Sequence, residues 1–203
     1  MGENDQHAKQ RLRRRLRAVR ADLAANSVAV LSAAACARAL SLPAFRSAGH
    51  VVVYAAVGNE LDPSSLAAAA LAAGCALYYP RLCGVDLDFV RSTPSALVPG
   101  PRGVREPEDG DVLVSGSEHV CFFVPGLAFD RQGVRLGRGV GCYDRALARH
   151  PTAVRIGLAY DAQLVDALPV DPWDVPMHAV ITETQVHVVG HAGGSPALKE
   201  NRP

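Results

Sequence analysis

The chain has 203 residues, of which 49% are apolar and 20% charged, and its 21 Lys and Arg against 20 Asp and Glu give a formal net charge of +1. That balance excludes a disordered chain, which needs low hydrophobicity and high net charge, and a protein held to nucleic acid by its global charge. The length favours one domain that buries a substantial core without disulfides.

Residues 1–7 read as a loose start, 191–203 as a loose end, and 8–190 as a single domain. Leu12, Leu16, Val19 and Leu23 recur at helical spacing, so 8–25 is expected to be an amphipathic helix. A second helix is expected over 28–41, stopping before Pro43. The apolar run from His50 to Ala56 reads as a buried parallel strand. Asp62, Pro63 and Ser64 open a helix that ends near Gly74. Cys75 to Tyr79 is the next strand, ended by Pro80, and completes a βαβ unit. A short strand over 87–91 precedes 92–117, which are rich in Pro and Gly and read as an irregular loop. Val120 to Val124 is another buried strand, followed by a glycine-rich loop and a helix near 143–150. The pattern ends with a strand over 155–160, a short helix over 161–168 and one or two strands over 178–189. Such alternation implies an α/β sheet covered by helices. Ligands in such sheets lie outside the carboxyl ends of the strands.

The cysteines, at 36, 75, 83, 121 and 142, show no C-x-x-C pair and no zinc spacing, which suggests reduced thiols in a cytoplasmic protein. The N-terminus is polar, then basic, with no apolar stretch of the signal-peptide kind. The longest apolar run, Leu66 to Tyr79, is broken by Gly74 and falls short of the roughly 20 residues a membrane helix needs. A soluble protein is expected.

The strongest chemical feature runs from Val124 to Arg145. Glycines at 137, 139 and 141 alternate between a strand and a helix. Such glycines let backbone N–H groups approach an anion, and the following helix adds its positive end. Arg135 and Arg138 add fixed charge, and together these suit a polyphosphate. No Gly-Lys-Ser/Thr closes the loop, and its third glycine comes one residue early for a dinucleotide fingerprint. A surface turn needing glycine only for φ > 0 is the competing reading, against which Arg135, Tyr143 and Asp144 weigh.

Asp144 reads equally as a helix cap or as a Mg²⁺ ligand beside phosphate. Lys9 and Arg13 lie one turn apart on one helix face, which Arg17 and Arg20 extend. That face is either solvated, or reaches over the same phosphates, or binds nucleic acid; no interleaved aromatic residue supports the last. Lys9 stands out because Lys9 and Lys199 are the only lysines. Glu60 follows a buried strand at its carboxyl end, as a ligand contact or a solvated loop acid. Asp174 lies between Pro172 and Pro176, as a site acid or a turn residue. The seven His do not cluster at ligand spacing, and no Gly-x-Ser-x-Gly elbow is present. Cys142 has no base beside it and reads as a loop residue.

Taken in order, these segments resemble the 5-formyltetrahydrofolate cyclo-ligase family over about residues 9–189. The central motif is Pro125, Gly126, Phe129 and Asp130 leading to Arg135, Gly137, Gly139, Gly141, Tyr143 and Asp144. Lys9 with Leu12 and Arg13, Glu60, Tyr79 to Arg81, Glu106 with Pro107, Gln163 to Val165, and Pro169 ahead of Asp174 support it. The resemblance implies a three-layer α/β/α sandwich with a Rossmann-like, mostly parallel sheet. It implies ATP- and Mg²⁺-dependent closure of 5-formyltetrahydrofolate to 5,10-methenyltetrahydrofolate, with ADP and phosphate released. The γ-phosphoryl group would pass to the formyl oxygen, and N10 would attack the activated carbon.

Carried over, Lys9, Arg13, Arg135, Leu136, Gly137, Arg138, Gly139, Val140, Gly141, Cys142 and Tyr143 would form the ATP site. Asp144 and Asp174 would hold Mg²⁺. Ala55 and Glu60, with Arg138, Gly139, Val140, Gly141 and Cys142, would contact folate. Arg135, Arg138 and Tyr143 would act on the reacting groups. Departures from the family pattern at Pro63, Val140, Cys142 and Trp173 leave the phosphate and metal groups in place and fall on the folate side. A divergent ATP- or folate-binding homologue, regulatory or acting on another N-acyl substrate, is the alternative. The expected partner is the small-molecule substrate, with a monomeric protein and neither nucleic acid nor membrane involved.

Overall fold

The computed structural model describes residues 3–190. Residues 1, 2 and 191–203, including most of the expected loose end and Lys199, lie outside the described residues.

The first helix, α1 (Glu3–Ala21), takes in residues 3–7, which composition assigns to a loose start. No Gly or Pro interrupts this stretch, and Leu16 is buried among Ala128, Val134, Leu136 and Leu168. Helix α2 (Ala25–Ser41) follows, and Leu42 ends it in an extended conformation because Pro43 disfavours αR in the residue before it. Pro43 then opens the one-turn helix α3 (Pro43–Arg46), where its fixed φ and missing N–H cost nothing.

Strand β1 (His50–Val52) is shorter than its apolar run, because the chain beyond it turns into the cleft described below. Helix α4 (Ser64–Ala72) leads to β2 (Ala76–Cys83), which turns at Gly84 into β3 (Asp86–Arg91). Proline does not end β2 as expected. Pairing with β1 stops at Tyr78, so Pro80 pairs only with β3 and its missing N–H leaves no gap in a ladder.

Residues 92–117 are not wholly irregular. They carry two 3₁₀ turns and a small antiparallel pair, β4 (Leu97–Pro99) and β5 (Arg105–Pro107). Then come β6 (Val120–Pro125), β7 (Ala128–Asp130), β8 (Arg135–Leu136), helix α5 (Cys142–Ala148) and β9 (Val154–Leu158). The helix expected over 161–168 is a 3₁₀ turn followed by β10 (Leu164–Val165). The last hairpin is β11 (Ala179–Ile181) and β12 (Val186–Val188).

Seven strands form the main sheet in the order β12-β11-β9-β6-β1-β2-β3. The five inner strands are parallel and the two edges antiparallel. Successive residues face opposite sides, so a continuous apolar run serves two cores. Val51, Leu77 and Phe123 pack under α2, α3 and α4, while Val52, Tyr78 and Phe122 pack under α5. Each such large side chain contributes about 1.5–3 kcal/mol on burial. The architecture is therefore a mixed α/β fold with helices on both faces of a mostly parallel sheet, as the sequence pattern implies.

A second sheet, β10-β7-β8, was not legible in the sequence. Two buried polar side chains hold it. Asp130 Oδ1 accepts the Gln132 and Val134 amides at 2.9 Å each, and its Oδ2 accepts the Leu168 amide at 3.0 Å. Gln163 Nε2 donates to the Gly126 and Leu127 carbonyls at 2.9 and 3.0 Å. Each bond satisfies a backbone group that no ladder serves. The Phe129 ring fills space that a Cβ on Gly157 would enter, at 2.5 Å.

Candidate active site

A cleft of about 240 Å³ opens outside the carboxyl ends of β1 and β6, where α/β sheets bind ligands. Every candidate site residue named from the sequence lines it: Lys9, Arg13, Ala55, Glu60, Arg135 through Asp144, and Asp174. They come from α1, the segment after β1, the loop between β8 and α5, and the turn before β11.

The glycine loop crosses the cleft between β8 and α5. Gly139 has φ 109° and Gly141, the N-cap of α5, has φ 66°, conformations that a Cβ opposes. Helix α5 spans only seven residues, so the strong positive helix end expected from the sequence is not available there. The arginines carry the charge instead. Arg13 Nε donates to the Gly137 carbonyl at 3.1 Å, which fastens α1 to the loop.

Charges in the cleft are cross-paired. Lys9 Nζ meets Asp171 Oδ2 at 2.7 Å and Asp174 Oδ2 at 3.1 Å. Burial works against the Lys9 ammonium, but its two carboxylate partners outweigh that and hold its pKa above the ordinary value. Arg135 Nη2 donates to both oxygens of Asp144 at 2.9 Å, and its guanidinium lies 5.3 Å from the centre of the Tyr143 ring. Arg138 and Arg20 both reach Glu60 Oε1, at 2.8 and 3.3 Å, while Glu60 Oε2 accepts the Val57 amide. Tyr143 also packs beside Phe89, and burial pushes its phenol well up, with Arg135 opposing only in part. That phenol stays protonated at neutral pH. Cys142 Sγ donates to the Val85 carbonyl at 3.2 Å, consistent with a loop residue.

Among the lining residues that the sequence does not single out as site residues are Asp171, Tyr54, Glu106 and Trp173. Asp171 shares Lys9 with Asp174, and its amide also donates to Asp174 Oδ2 at 2.8 Å. Its signal was the three-residue spacing to Asp174. Tyr54, buried at the end of β1, donates to the Leu61 carbonyl at 2.6 Å. Glu106, on β5, accepts the Leu82 amide at 3.0 Å and ties the small hairpin to β2. Behind it Pro80, Leu82, Leu87, Pro101 and Val104 give that end of the cleft an apolar wall.

The donor set fits a metal carried in with phosphate. Among the described residues no three His, Cys, Asp or Glu gather as a metal cage. Mg²⁺ needs only one or two carboxylates when phosphate oxygens and water supply the rest. Asp144 and Asp174 line one cleft, and Asp174 Oδ1 accepts no hydrogen bond among the described residues. Arg135 Nε is likewise a buried donor with no partner among the described residues, as a site built for an additional acceptor would have.

The model of the 5-formyltetrahydrofolate cyclo-ligase family matches residues 5–183. The 5-formyltetrahydrofolate cyclo-ligase of Escherichia coli K12 is 35% identical over 159 residues, 75% of this chain and 87% of that protein. The protein of the same name from Haemophilus influenzae is 29% identical over 180 residues, covering 85% and 96%. The solution structure of Aquifex aeolicus 5,10-methenyltetrahydrofolate synthetase superposes with a TM-score of 0.78 at 31% identity, over 95% of this chain and 97% of that one.

Proposed function

Because the chain belongs to the 5-formyltetrahydrofolate cyclo-ligase family of enzymes, we propose that it closes 5-formyltetrahydrofolate to 5,10-methenyltetrahydrofolate at the expense of ATP with Mg²⁺. The observation that carries this reading is the convergence of Lys9, Arg13, the 135–144 loop, Asp174 and Glu60 on one cleft with a charged end and an apolar end.

The formyl oxygen leaves poorly as hydroxide and well as phosphate, so phosphorylation must precede ring closure. The γ-phosphoryl group moves to the formyl oxygen, and N10 of the same molecule then attacks the formyl carbon. Phosphate departs with the former formyl oxygen, and N10 gives up its proton. Intramolecular attack supplies proximity, so the protein needs no covalent nucleophile. Its task is to hold charge around a transferring phosphoryl group.

Arg135 and Arg138 neutralise that charge, Lys9 and Arg13 hold the rest of the triphosphate, and Asp144 and Asp174 hold the metal. Bound Mg²⁺ supplies further neutralisation of the phosphate oxygens. Glu60, fixed by two arginines and the Val57 amide, accepts from the pteridine ring's donors, beside Ala55. The apolar wall excludes water that would otherwise hydrolyse the formyl phosphate. The Tyr143 ring supports the Arg135 guanidinium as its phenol stays protonated. No single helix among the described residues is long and apolar enough to cross a membrane, and all five cysteines are free. The reading extends to a monomeric enzyme acting on a small molecule in a reducing cytoplasm, and the free cysteines support the reducing compartment.

The test is an absorbance assay for methenyltetrahydrofolate from 5-formyltetrahydrofolate. Growth that requires both ATP and Mg²⁺, with one ADP per product, is the expected result. Folded protein that binds ATP yet forms no product would refute the reading in favour of a regulatory homologue.

A further inference from the structure

Trp173 is the chain's sole tryptophan. It lines the cleft and is 60% exposed, although a large apolar ring is ordinarily covered. None of the ring contacts among the described residues involves it. The backbone that carries it is nevertheless firmly held. The Asp174 amide donates to the Asp171 carbonyl at 3.0 Å, and the Asp171 amide donates to Asp174 Oδ2 at 2.8 Å. Lys9 grips both carboxylates from α1, and Pro172 and Pro176 restrict the flanking backbone. The fold thus presents one bare aromatic face on a fixed turn, beside the groups that hold phosphate.

We propose that Trp173 is the platform on which the purine base of the nucleotide stacks, and that it sets the preference for a nucleoside triphosphate over bare polyphosphate. This rests on the reading that the charged end of the cleft takes the triphosphate. With the phosphates fixed by Lys9 and Arg13, the base lies within one nucleotide's length of them. A flat π-system over an exposed indole covers its apolar face without needing hydrogen-bond readout, and such stacking is worth a roughly five- to hundredfold gain in affinity. The rigid turn means little ordering is lost on binding. The family pattern puts the Trp173 departure on the folate side, but the turn that carries it is tied to Lys9 through Asp171 and Asp174, which places it on the nucleotide side, while the pteridine ring is assigned to the side of Glu60.

The single indole makes the test direct, since all tryptophan emission reports on this residue. The intact protein with Mg²⁺ is titrated with ATP, with inorganic tripolyphosphate and with 5-formyltetrahydrofolate, each alone. ATP is expected to quench the emission, and tripolyphosphate to displace ATP without quenching. Trp173→Ala is expected to raise the KM for ATP roughly five- to hundredfold, with kcat changing far less and the KM for folate unmoved; Trp173→Phe should recover most of the loss. Unchanged emission at saturating ATP, equal quenching by tripolyphosphate, or a rise in the folate KM instead would overturn the proposal. Quenching by ATP without folate turnover would defeat the proposed activity and leave this platform standing. Turnover with a silent indole would defeat the platform alone.

Discussion

Around the Lys9 end of the cleft, Lys9, Arg135, Asp144, Asp171 and Asp174 each meet an opposite charge within 3.1 Å, whereas the wall formed by Pro80, Leu82, Leu87, Pro101 and Val104 carries no charged side chain of its own. The residues expected to hold phosphate are paired with those expected to hold metal. A partly buried ion pair contributes little net stability, because desolvation offsets most of the attraction. Such pairs can therefore exchange partners for phosphate and Mg²⁺ at small cost, keeping the site charged and shaped meanwhile. The apolar end has no partners to exchange. It provides shape and dryness, and its elements come from the β2–β3 and β4–β5 hairpins.

The charged end is most vulnerable at Arg135. Arg135→Met leaves Asp144 without its cation and removes charge from the transferring group, so kcat should fall by roughly 10²–10³-fold, measured at saturating ATP and folate. A loss confined to the KM for folate would mean that the charged end is not where phosphate reacts. Asp144→Asn should come next, with activity falling about tenfold or more and the Mg²⁺ concentration needed for half-activity rising. Thermal unfolding should show the fold intact; an unchanged Mg²⁺ dependence would remove Asp144 from the metal site. At the boundary between the two ends, Glu60→Gln weakens two charge-assisted hydrogen bonds. The folate KM should rise about tenfold, with the ATP KM nearly constant; the reverse pattern would move Glu60 to the nucleotide side.

The smallest effect lies outside both ends and serves as a control. His150 packs between Phe89 and Phe122. Burial, reinforced by Arg149, lowers its pKa below 6.5. A base depressed in the folded state leaves stability intact above its unfolded pKa and removes it as pH falls through 6.5 toward the folded value. Thermal unfolding of the wild type should therefore lose stability toward pH 5 more than His150→Leu does, with ATP-dependent turnover at neutral pH little altered. Parallel pH profiles for the two proteins would show that His150 titrates normally.

The two ends also differed in how legible they were. The central strands β1 and β6 lie in continuous apolar runs, and the glycine loop carries its spacing openly. The small elements were hidden. Strands β7, β8 and β10 are two or three residues long, too short to display a period of two, and they exist because Asp130 and Gln163 satisfy backbone groups from distant segments. Residues 92–117 have the composition of a loop, yet Glu106 reaches the Leu82 amide and turns part of them into a wall of the cleft. The three-residue spacing to Asp174 is the only local signal for Asp171, because its partner, Lys9, is 162 residues away in sequence. Local chemistry was readable, and pairings made by the fold were not.

In the proposed reaction the charged end delivers a phosphoryl group to the formyl oxygen of the folate. That transfer is tested by running the reaction on 5-formyltetrahydrofolate whose formyl oxygen is replaced by heavy oxygen, then weighing the released phosphate by mass spectrometry. One heavy oxygen is expected in each phosphate released per methenyltetrahydrofolate formed. Unlabelled phosphate accompanying the same product would contradict it.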